Sequence, residues 1–510
     1  MKRCLICLAL VMALLLSCLP GAYALTKAGI DISKPVKLYG YLMGSAPPGM
    51  PEVMAELNKK LKKDLNCTME INYIGWGDMQ AKYPLVLAAG EDVDWVYTAN
   101  WCFYAQESAK GAFMEITQDI LKKYMPKHFK ATNPAAWREA LINGKIYMIP
   151  TSTPDRKVGC ALIRGDLRKK YGVPEIKKFS DIEKYLEAIK KNEPGMIPMN
   201  LDSTYDITRP WYSLFYEAGP FWQDILFTTG GGSGVVFDPE DPEGKLYMIT
   251  EEPVLSYYKN AAKTIKAWNA KDYFNKDAFA NKIRSKDSFD QGKSAVGFGN
   301  TQDIQGNLAN AQSKGWQVEV IPQLSAKGHY PADPYINNGV AIAARSKNWQ
   351  RAMMALDLIM EDPEYNNLVY FGIIGKNYII KNGKVDLPKG VTAEKNTYPP
   401  DAAGFWFTNK DQFKPMATWT DDYIKLRSNL KTMLAPNIYA AFAPNTDSIK
   451  TEMANLNQIL VQYLNPIGLG MVDDIEKAFA TLDEKLKAAG IEKVKAELTK
   501  QTKAYLSSLK

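Results

Sequence analysis

CTMEINYIGWGDMQAKYPLVLAAGEDVDWVYTANWCFY, residues 67–104, sets the architecture of this chain. Met69, Ile71 and Tyr73 stand at alternate positions, the period of a strand. Gly75-Trp76-Gly77 makes a turn, and Asp78 is placed to cap a helix over 79–89. Gly90 supplies a left-handed stop. A second strand is expected over 94–98, followed by a loop that carries Asn100 and Trp101. Strand, helix and strand within about thirty residues form a βαβ unit, with parallel strands and a right-handed crossover. Sheets of this kind bind ligands outside the carboxyl ends of their strands, and here those ends present Trp76 and Trp101. The glycines beside Trp76 let it turn inward as readily as outward.

Upstream, residues 36–43 alternate as an earlier strand. Pro51 then opens a helix with Val53, Leu57, Leu61 and Leu65 four apart, a single apolar stripe. The result is β-α-β-α-β, half of a doubly wound α/β domain, with loops near 43–50, 75–78 and 98–104 at one edge. Downstream, Asn143-Gly144 turns a hairpin into an apolar strand that ends at Pro150. The polar residues 151–156 follow, and there a second lobe begins. Further strands are expected over 160–164, 318–322 and 338–344, and one whose end presents Asn300, Gln302 and Asp303. Helices are expected over 165–171, from a capped start at Phe179-Ser180-Asp181-Ile182, over 253–270, and over 349–360 behind Ser346. Residues 200–250 read as loop-rich and aromatic. The glycines around 230–234 lack a following Lys-Ser or Lys-Thr, so they make a mobile turn rather than a phosphate loop. The end of the chain is helical, broken at Gly490, with Phe479, Leu482 and Leu486 as its buried stripe.

The 510 residues exceed what one hydrophobic core holds, which implies two large lobes or three domains. A hydrophobic share of 46% with 23% charged residues places the chain among ordinary globular proteins. Net charge is +7 and falls by two once Lys2 and Arg3 leave, so no nucleic acid partner is expected. Lys59-Lys60 and Lys62-Lys63 read as a solvated helix face. Lys2 and Arg3, an apolar run over 5–19 and Ala22-Tyr23-Ala24 form an export signal over residues 1–24 with an A-x-A cleavage site. Leu15-Leu16-Ser17-Cys18 offers the competing reading of a lipobox, in which Cys18 is lipidated and retained. No other apolar run is long enough to span a bilayer. Cys67, Cys102 and Cys160 are odd in number; a Cys67 to Cys102 bridge stands against three buried thiols.

Catalytic motifs are missing. The only histidines, His128 and His329, sit in no metal-binding spacing, and there is no G-x-S-x-G elbow or calcium loop. No metal and no cofactor is called for. A glycosidase needs only two carboxylates, and that reading stays open. What remains is an abundance of Trp (11) and Tyr (28), many in expected loops beside short polar side chains. Sugars require this pairing, because their C–H faces stack on rings while their hydroxyls need donors and acceptors. The candidate ligand contacts are Tyr41, Trp76, Asn100, Trp101, Arg156, Trp211, Asn300, Gln302, Asp303, Tyr335 and Trp406. Asn100 and Trp101 are expected to line the first lobe's wall.

Several stretches together resemble a known family. They are Pro51-Glu52-Val53 through Leu57-Asn58-Lys59, Gly75-Trp76-Gly77-Asp78, and Leu87-Ala88-Ala89-Gly90-Glu91-Asp92-Val93-Asp94. Asn143-Gly144-Lys145-Ile146-Tyr147, Gln291-Gly292-Lys293-Ser294-Ala295, Gly372-Ile373-Ile374-Gly375-Lys376-Asn377-Tyr378 and Lys485-Leu486-Lys487-Ala488-Ala489-Gly490-Ile491 continue the likeness. In order and spacing the chain resembles bacterial extracellular solute-binding proteins of carbohydrate-uptake ABC transporters, in the branch of large lipoprotein-type oligosaccharide binders. It departs at Ile374, where that branch often has an acid, and in the form of its lipobox. The resemblance implies a periplasmic-binding-protein-like α/β fold of maltose-binding-type topology, a monomer with no enzymatic activity. Lobe one would comprise residues 25–152 and 336–415, and lobe two 153–335 and 416–510. It further implies a sugar ligand closed between the lobes and membrane permease subunits as partners. An exported carbohydrate-active enzyme, and a peptide or other small-solute binder of the same fold, are the alternatives.

Overall fold

The computed structural model describes residues 26–508 except 76–77, 90–91, 204, 227–231 and 443. Expectations for the export signal with Cys18, for Trp76, for the Gly90 stop and for most of the glycine turn lie outside the described residues.

The first sheet begins as the alternation dictates. In β1 (Val36–Met43), Leu38 and Leu42 are buried while Tyr39 and Tyr41 face the other way, half-buried. α1 (Met50–Leu65) has Pro51 at its start, Glu52 in the first turn, and Lys62 and Lys63 in the last, matching the helix dipole. Val53, Leu57, Leu61 and Leu65 are all buried, a contribution of roughly 1.5–3 kcal/mol each. β2 (Cys67–Ile74), α2 (Met79–Ala88) and β3 (Trp95–Thr98) complete the βαβ unit. Its two strands do not pair with each other. Both run parallel to β1, which lies between them. Asp78 does not cap α2, because its backbone is already helical; its carboxylate pairs with Lys82 at 2.8 Å instead.

β4 (Ile149–Pro150) is the far edge of this sheet, and the chain then leaves it. β5 (Gly159–Arg164), β6 (Ile197–Met199), β7 (Ser294–Asn300) and β8 (Val318–Pro322) form a second sheet in the order β6-β7-β5-β8. β6 and β7 are parallel, while β5 runs antiparallel to β7 and β8. The chain returns in β9 (Gly339–Ile342), antiparallel between β3 and β4. Two large cores result, beside smaller clusters around Phe289 and Phe371. One gathers Leu38, Leu57, Trp95, Val340, Met353 and Phe405; the other gathers Ile163, Trp211, Trp268, Phe298, Leu456 and Leu482.

The aromatic region is less irregular than its composition implies. α3 (Arg209–Ala218) crosses it, with Pro210 in its first turn. Asp224 accepts the backbone N–H groups of Ser233 and Gly234, both at 2.8 Å. The start at Phe179–Ile182 is a 3-10 turn without a side-chain cap, leading into the helix Glu183–Asn192. Asn348, not Ser346, is the N-cap of α4 (Trp349–Glu361); Ser346 accepts the Asn348 N–H and donates to Asp94. Cys67, Cys102 and Cys160 are buried free thiols, so the bridge is not made. The chain ends in α5 (Ile475–Ala488) and α6 (Ile491–Ser508), which meet at Gly490 with φ 92. Among the described residues, no helix is long and apolar enough to cross a membrane.

Gly40 shows how closely the first sheet is packed. A Cβ there would lie 2.3 Å from the ring of Trp95, which is fully buried. Gly40→Ala is therefore expected to lower stability by about 1–3 kcal/mol in chemical denaturation, through overpacking rather than backbone strain.

Candidate functional site

The two sheets meet where the chain passes between them, and one carboxylate gathers the passages. Asp155, between β4 and β5, accepts from Lys410 at 2.8 Å and from the Asn338 amide at 2.7 Å. Lys157 lies 3.6 Å from Asp155 and 3.1 Å from Asp333. Asn338 in turn accepts the hydroxyl of Tyr97, on β3, at 2.7 Å. A continuous polar chain therefore joins the first sheet, both passages and the segment after α4. Burial alone would raise the Asp155 pKa, but the Lys410 and Lys157 ammonium groups outweigh it and hold it down at about 2.

The aromatic candidates collect around Tyr97. Trp101 lies against it at 5.7 Å and Trp406 meets it edge-on at 5.4 Å. Both tryptophans are half-buried, and their indole N–H groups donate to the carbonyls of Asn337 at 2.9 Å and Asp401 at 3.3 Å. Asn100 is exposed beside Trp101, whose backbone N–H it accepts. Tyr41 is half-buried on β1, one strand away. Arg156 pairs with Asp411, and its carbonyl accepts from Arg427 at 3.0 Å. Tyr335 donates its backbone N–H to Glu139 and lies within electrostatic reach of Arg156 and Asp411.

The second sheet supplies fewer free groups than its residue types imply. Asn300 ends β7 opposite Gly159, so the register sets it beside the first passage. Its side chain is occupied with the backbone N–H groups of Gln302 and Asp303, while Asp303 accepts the Asn300 N–H at 2.8 Å. Asn300 and Asp303 thus close a turn on each other. Gln302 is half-buried in the same turn, its carbonyl accepting from Gln305. Trp211 is a correction. It is fully enclosed in the second core, its indole donating to the Tyr258 carbonyl at 3.1 Å. The helical period explains this: Trp211 and Phe215 share the inward face of α3, while Tyr212 and Tyr216 are half-buried on the adjoining face.

Tyr212 and Tyr216 were not among the sequence candidates. Tyr212 stacks on Tyr216 at 5.7 Å, Tyr216 on Phe221 at 3.8 Å, and Phe221 meets Tyr330 edge-on at 4.7 Å. The row runs toward the hub, since Tyr330 feels the charges of Asp333 and Lys157. Burial pushes Tyr212 up to about 12, so its hydroxyl stays un-ionised. The four-residue spacing of Tyr212 and Tyr216 was the available signal. Asp401 was missed as well; burial raises its pKa to about 6 against the pull of Lys410. Among the described residues, no group of His, Cys, Asp and Glu is placed to hold a metal ion.

Several passages joining two α/β lobes, with aromatic and polar groups where they cross, define a two-lobed binding protein. The chain belongs to the bacterial extracellular solute-binding protein family, whose model matches residues 45–359. That family binds solutes and does not transform them. A second model, a domain of unknown function (DUF3502), matches residues 438–507. A carbohydrate ABC transporter substrate-binding protein of Streptococcus pneumoniae serotype 4 is 26% identical over 95% of this chain and 94% of its own. The fold is also that of the N-glycan transport solute binding protein NgtS of Streptococcus pneumoniae, with a TM-score of 0.77 at 24% identity over 94% of this chain and 100% of that one. An HMO binding ABC-transporter associated solute binding protein of Bifidobacterium longum infantis superposes with a TM-score of 0.64 at 16% identity, covering 93% of this chain and 99% of that one. These likenesses establish a periplasmic-binding-protein fold with a helical C-terminal region.

The Asp155 hub has a pH signature. Its folded pKa, about 2, lies below the ordinary value of 3.8, so its stabilisation is complete above about pH 4 and is lost as pH falls through 2. The shift corresponds to roughly 2 kcal/mol. Asp155→Asn is expected to flatten the acid limb of a stability–pH curve and to cost about 3–5 kcal/mol near neutrality, by leaving Lys410 unpaired.

Proposed function

We propose that this protein captures a short oligosaccharide between its lobes and delivers it to the permease subunits of an ATP-driven importer. The observation that carries the reading is the pair of half-buried tryptophans, Trp101 and Trp406, flanking Tyr97 beside the Asp155 hub. Rings supply stacking surface for sugar C–H faces, and Asn100 and Arg156 supply hydroxyl partners. Tyr41, Tyr335, Asn300, Gln302 and Asp303 extend this lining, and the row from Tyr212 to Tyr330 adds the second lobe's ring surface. The relatives support the substrate class, since their names print carbohydrate and N-glycan.

In this reading lobe one comprises residues 25–152 and 336–415, and lobe two 153–335 and 416–510. What supports the division is that the two hydrophobic cores draw on matching parts of the chain. Ligand that touches both lobes favours the closed state, and the closed state is what the permease reads. The mature protein works outside the cytoplasmic membrane as a monomer, either free after cleavage at Ala24 or tethered through Cys18.

Calorimetry against N-glycan fragments, fructo-oligosaccharides, milk oligosaccharides and alginate oligosaccharides tests the class. Micromolar or tighter binding to one of them is expected, and binding to peptides alone would replace it. Trp101→Ala should weaken that binding roughly ten- to a hundredfold while changing stability by less than about 1 kcal/mol. Trp211→Ala should do the reverse, costing about 3–5 kcal/mol of stability.

A further inference from the structure

Asp401 combines three features that its position in a loop does not require. Its backbone φ is 68, in the left-handed region that a non-glycine residue adopts at a cost. Its main chain is fixed on both sides: the N–H donates to the Tyr370 carbonyl at 3.3 Å, and the carbonyl accepts the Trp406 indole N–H at 3.3 Å. Its carboxylate oxygen Oδ1 is shut from solvent and has no hydrogen-bond partner. An aspartate that serves only a turn adopts this φ with its carboxylate in water or capping a nearby N–H. Asp401 Oδ1 does neither.

We infer that Asp401 is the hydroxyl acceptor for a neutral sugar ring stacked on Trp406. The inference rests on the carbohydrate reading above and names one residue that sets its specificity. The geometry is that of a ring and its edge. A pyranose or furanose laid on an indole projects its hydroxyls sideways, past the ring perimeter. Asp401 lies at that perimeter, because the indole N–H is bonded to its own carbonyl. A carboxylate oxygen accepts from two hydroxyls and donates to none, so it selects a sugar with adjacent hydroxyls over one substituted there.

Charge argues for a neutral ligand over an acidic one. Lys410 and Lys157 are the cations within electrostatic reach of Asp401, with Asp155 and Asp303 as the acids. Lys410 is bonded to Asp155, and Lys157 sits between Asp155 and Asp333. Both are engaged by other acids, so the Asp401 carboxylate is left to repel an anionic sugar, while hydroxyl donors bring no charge. Tyr97 and Tyr370 face the same carboxylate, and both hydroxyls stay un-ionised because burial pushes their pKa values well up.

Binding should then be linked to pH. Burial raises free Asp401 to about 6, and accepted hydroxyl hydrogen bonds favour its ionised form. Affinity is full above that value and falls as pH drops through it. Asp206 is also raised to about 6 by burial, and Glu139 to about 7, so the wild-type profile alone does not assign the group. Asp155, held at about 2, stays ionised throughout.

The test measures calorimetric affinity for the best-bound neutral oligosaccharide, kestose or an N-glycan fragment among them, at about pH 7.5 and about pH 5. The wild type, Asp401→Asn and Asp401→Gly are compared, with thermal melts of each. Asparagine is isosteric and tolerates the left-handed region, and glycine adopts it freely, so at least one variant retains the fold. The expected result is a roughly tenfold loss from the higher to the lower pH in the wild type. Both variants should be at least about tenfold weaker at the higher pH, with that pH dependence gone and melting temperatures unchanged or raised. A folded variant that binds like the wild type, with the same pH profile, overturns the role of Asp401 and leaves the carbohydrate reading standing. A wild type that binds no saccharide of the panel removes both.

Discussion

A carboxylate taken out of water must be neutralised where it lies, and Asp155 is placed where three passages of chain have to agree. Its partners come from its own passage in Lys157, from the returning passage in Asn338, and from the segment beyond α4 in Lys410. Each partner anchors something further along. Asn338 directly precedes β9 and holds Tyr97, Asn337 accepts from Trp101, and Lys410 adjoins the Asp411 that pairs with Arg156. Removing the central charge would leave the Lys410 ammonium unpaired in a poorly solvated place, with Lys157 held by Asp333 alone. The hub therefore fixes the edges of both sheets at once, and the aromatic residues of the first sheet's edge are positioned against it.

Tryptophans in this chain divide by where the backbone delivers them. Trp95, inside β3, and Trp268, inside a long helix, are enclosed because the regular period turns every second or every fourth side chain into the core. Trp101 and Trp406 come from irregular segments, where no period forces the ring inward. A loop tryptophan still needs a partner for its N–H, and both find a backbone carbonyl. The bond pins each ring at its edge and leaves it half-buried. Rings fixed this way lose little entropy on meeting a ligand, which favours stacking over induced rearrangement.

Local patterns carried most of the fold in the sequence. The alternation in β1 and β2, the leucine stripe of α1 and the Gly490 break needed only neighbours along the chain. Capping residues were less legible. Asp78 and Ser346 have the right chemistry, but whether a side chain caps depends on the φ and ψ of its own residue, which tertiary packing decides. Trp211 was misplaced for a related reason. Aromatic density over 200–250 read as loop, although Pro210 was the helix-start signal, and once α3 forms the period sends Trp211 and Phe215 inward. The hub was not legible at all. Asp155 and Lys410 are 255 residues apart, and nothing local marks either. The export signal and Trp76 lie outside the described residues, so the structure leaves those expectations as they stood.

Burial pushes up the pKa of Asp155 and Asp401 alike; what separates them is whether a cation reaches the charge. Asp155 receives two ammonium groups and an amide and ends at about 2, while Asp401, near the same lysines, ends at about 6. The difference follows from geometry, since Lys410 and Lys157 are already bonded to Asp155 or drawn to Asp333. A saturated hub therefore requires an under-satisfied neighbour. Placing that neighbour on a strained backbone beside a half-buried ring turns a local energetic cost into a selective one, because only a ligand with donors at the ring's edge relieves it. A site that must release its ligand to a transporter gains from this arrangement. The hub joins the passages through contacts within the chain, while Asp401 Oδ1 contributes no hydrogen bond to holding the protein itself.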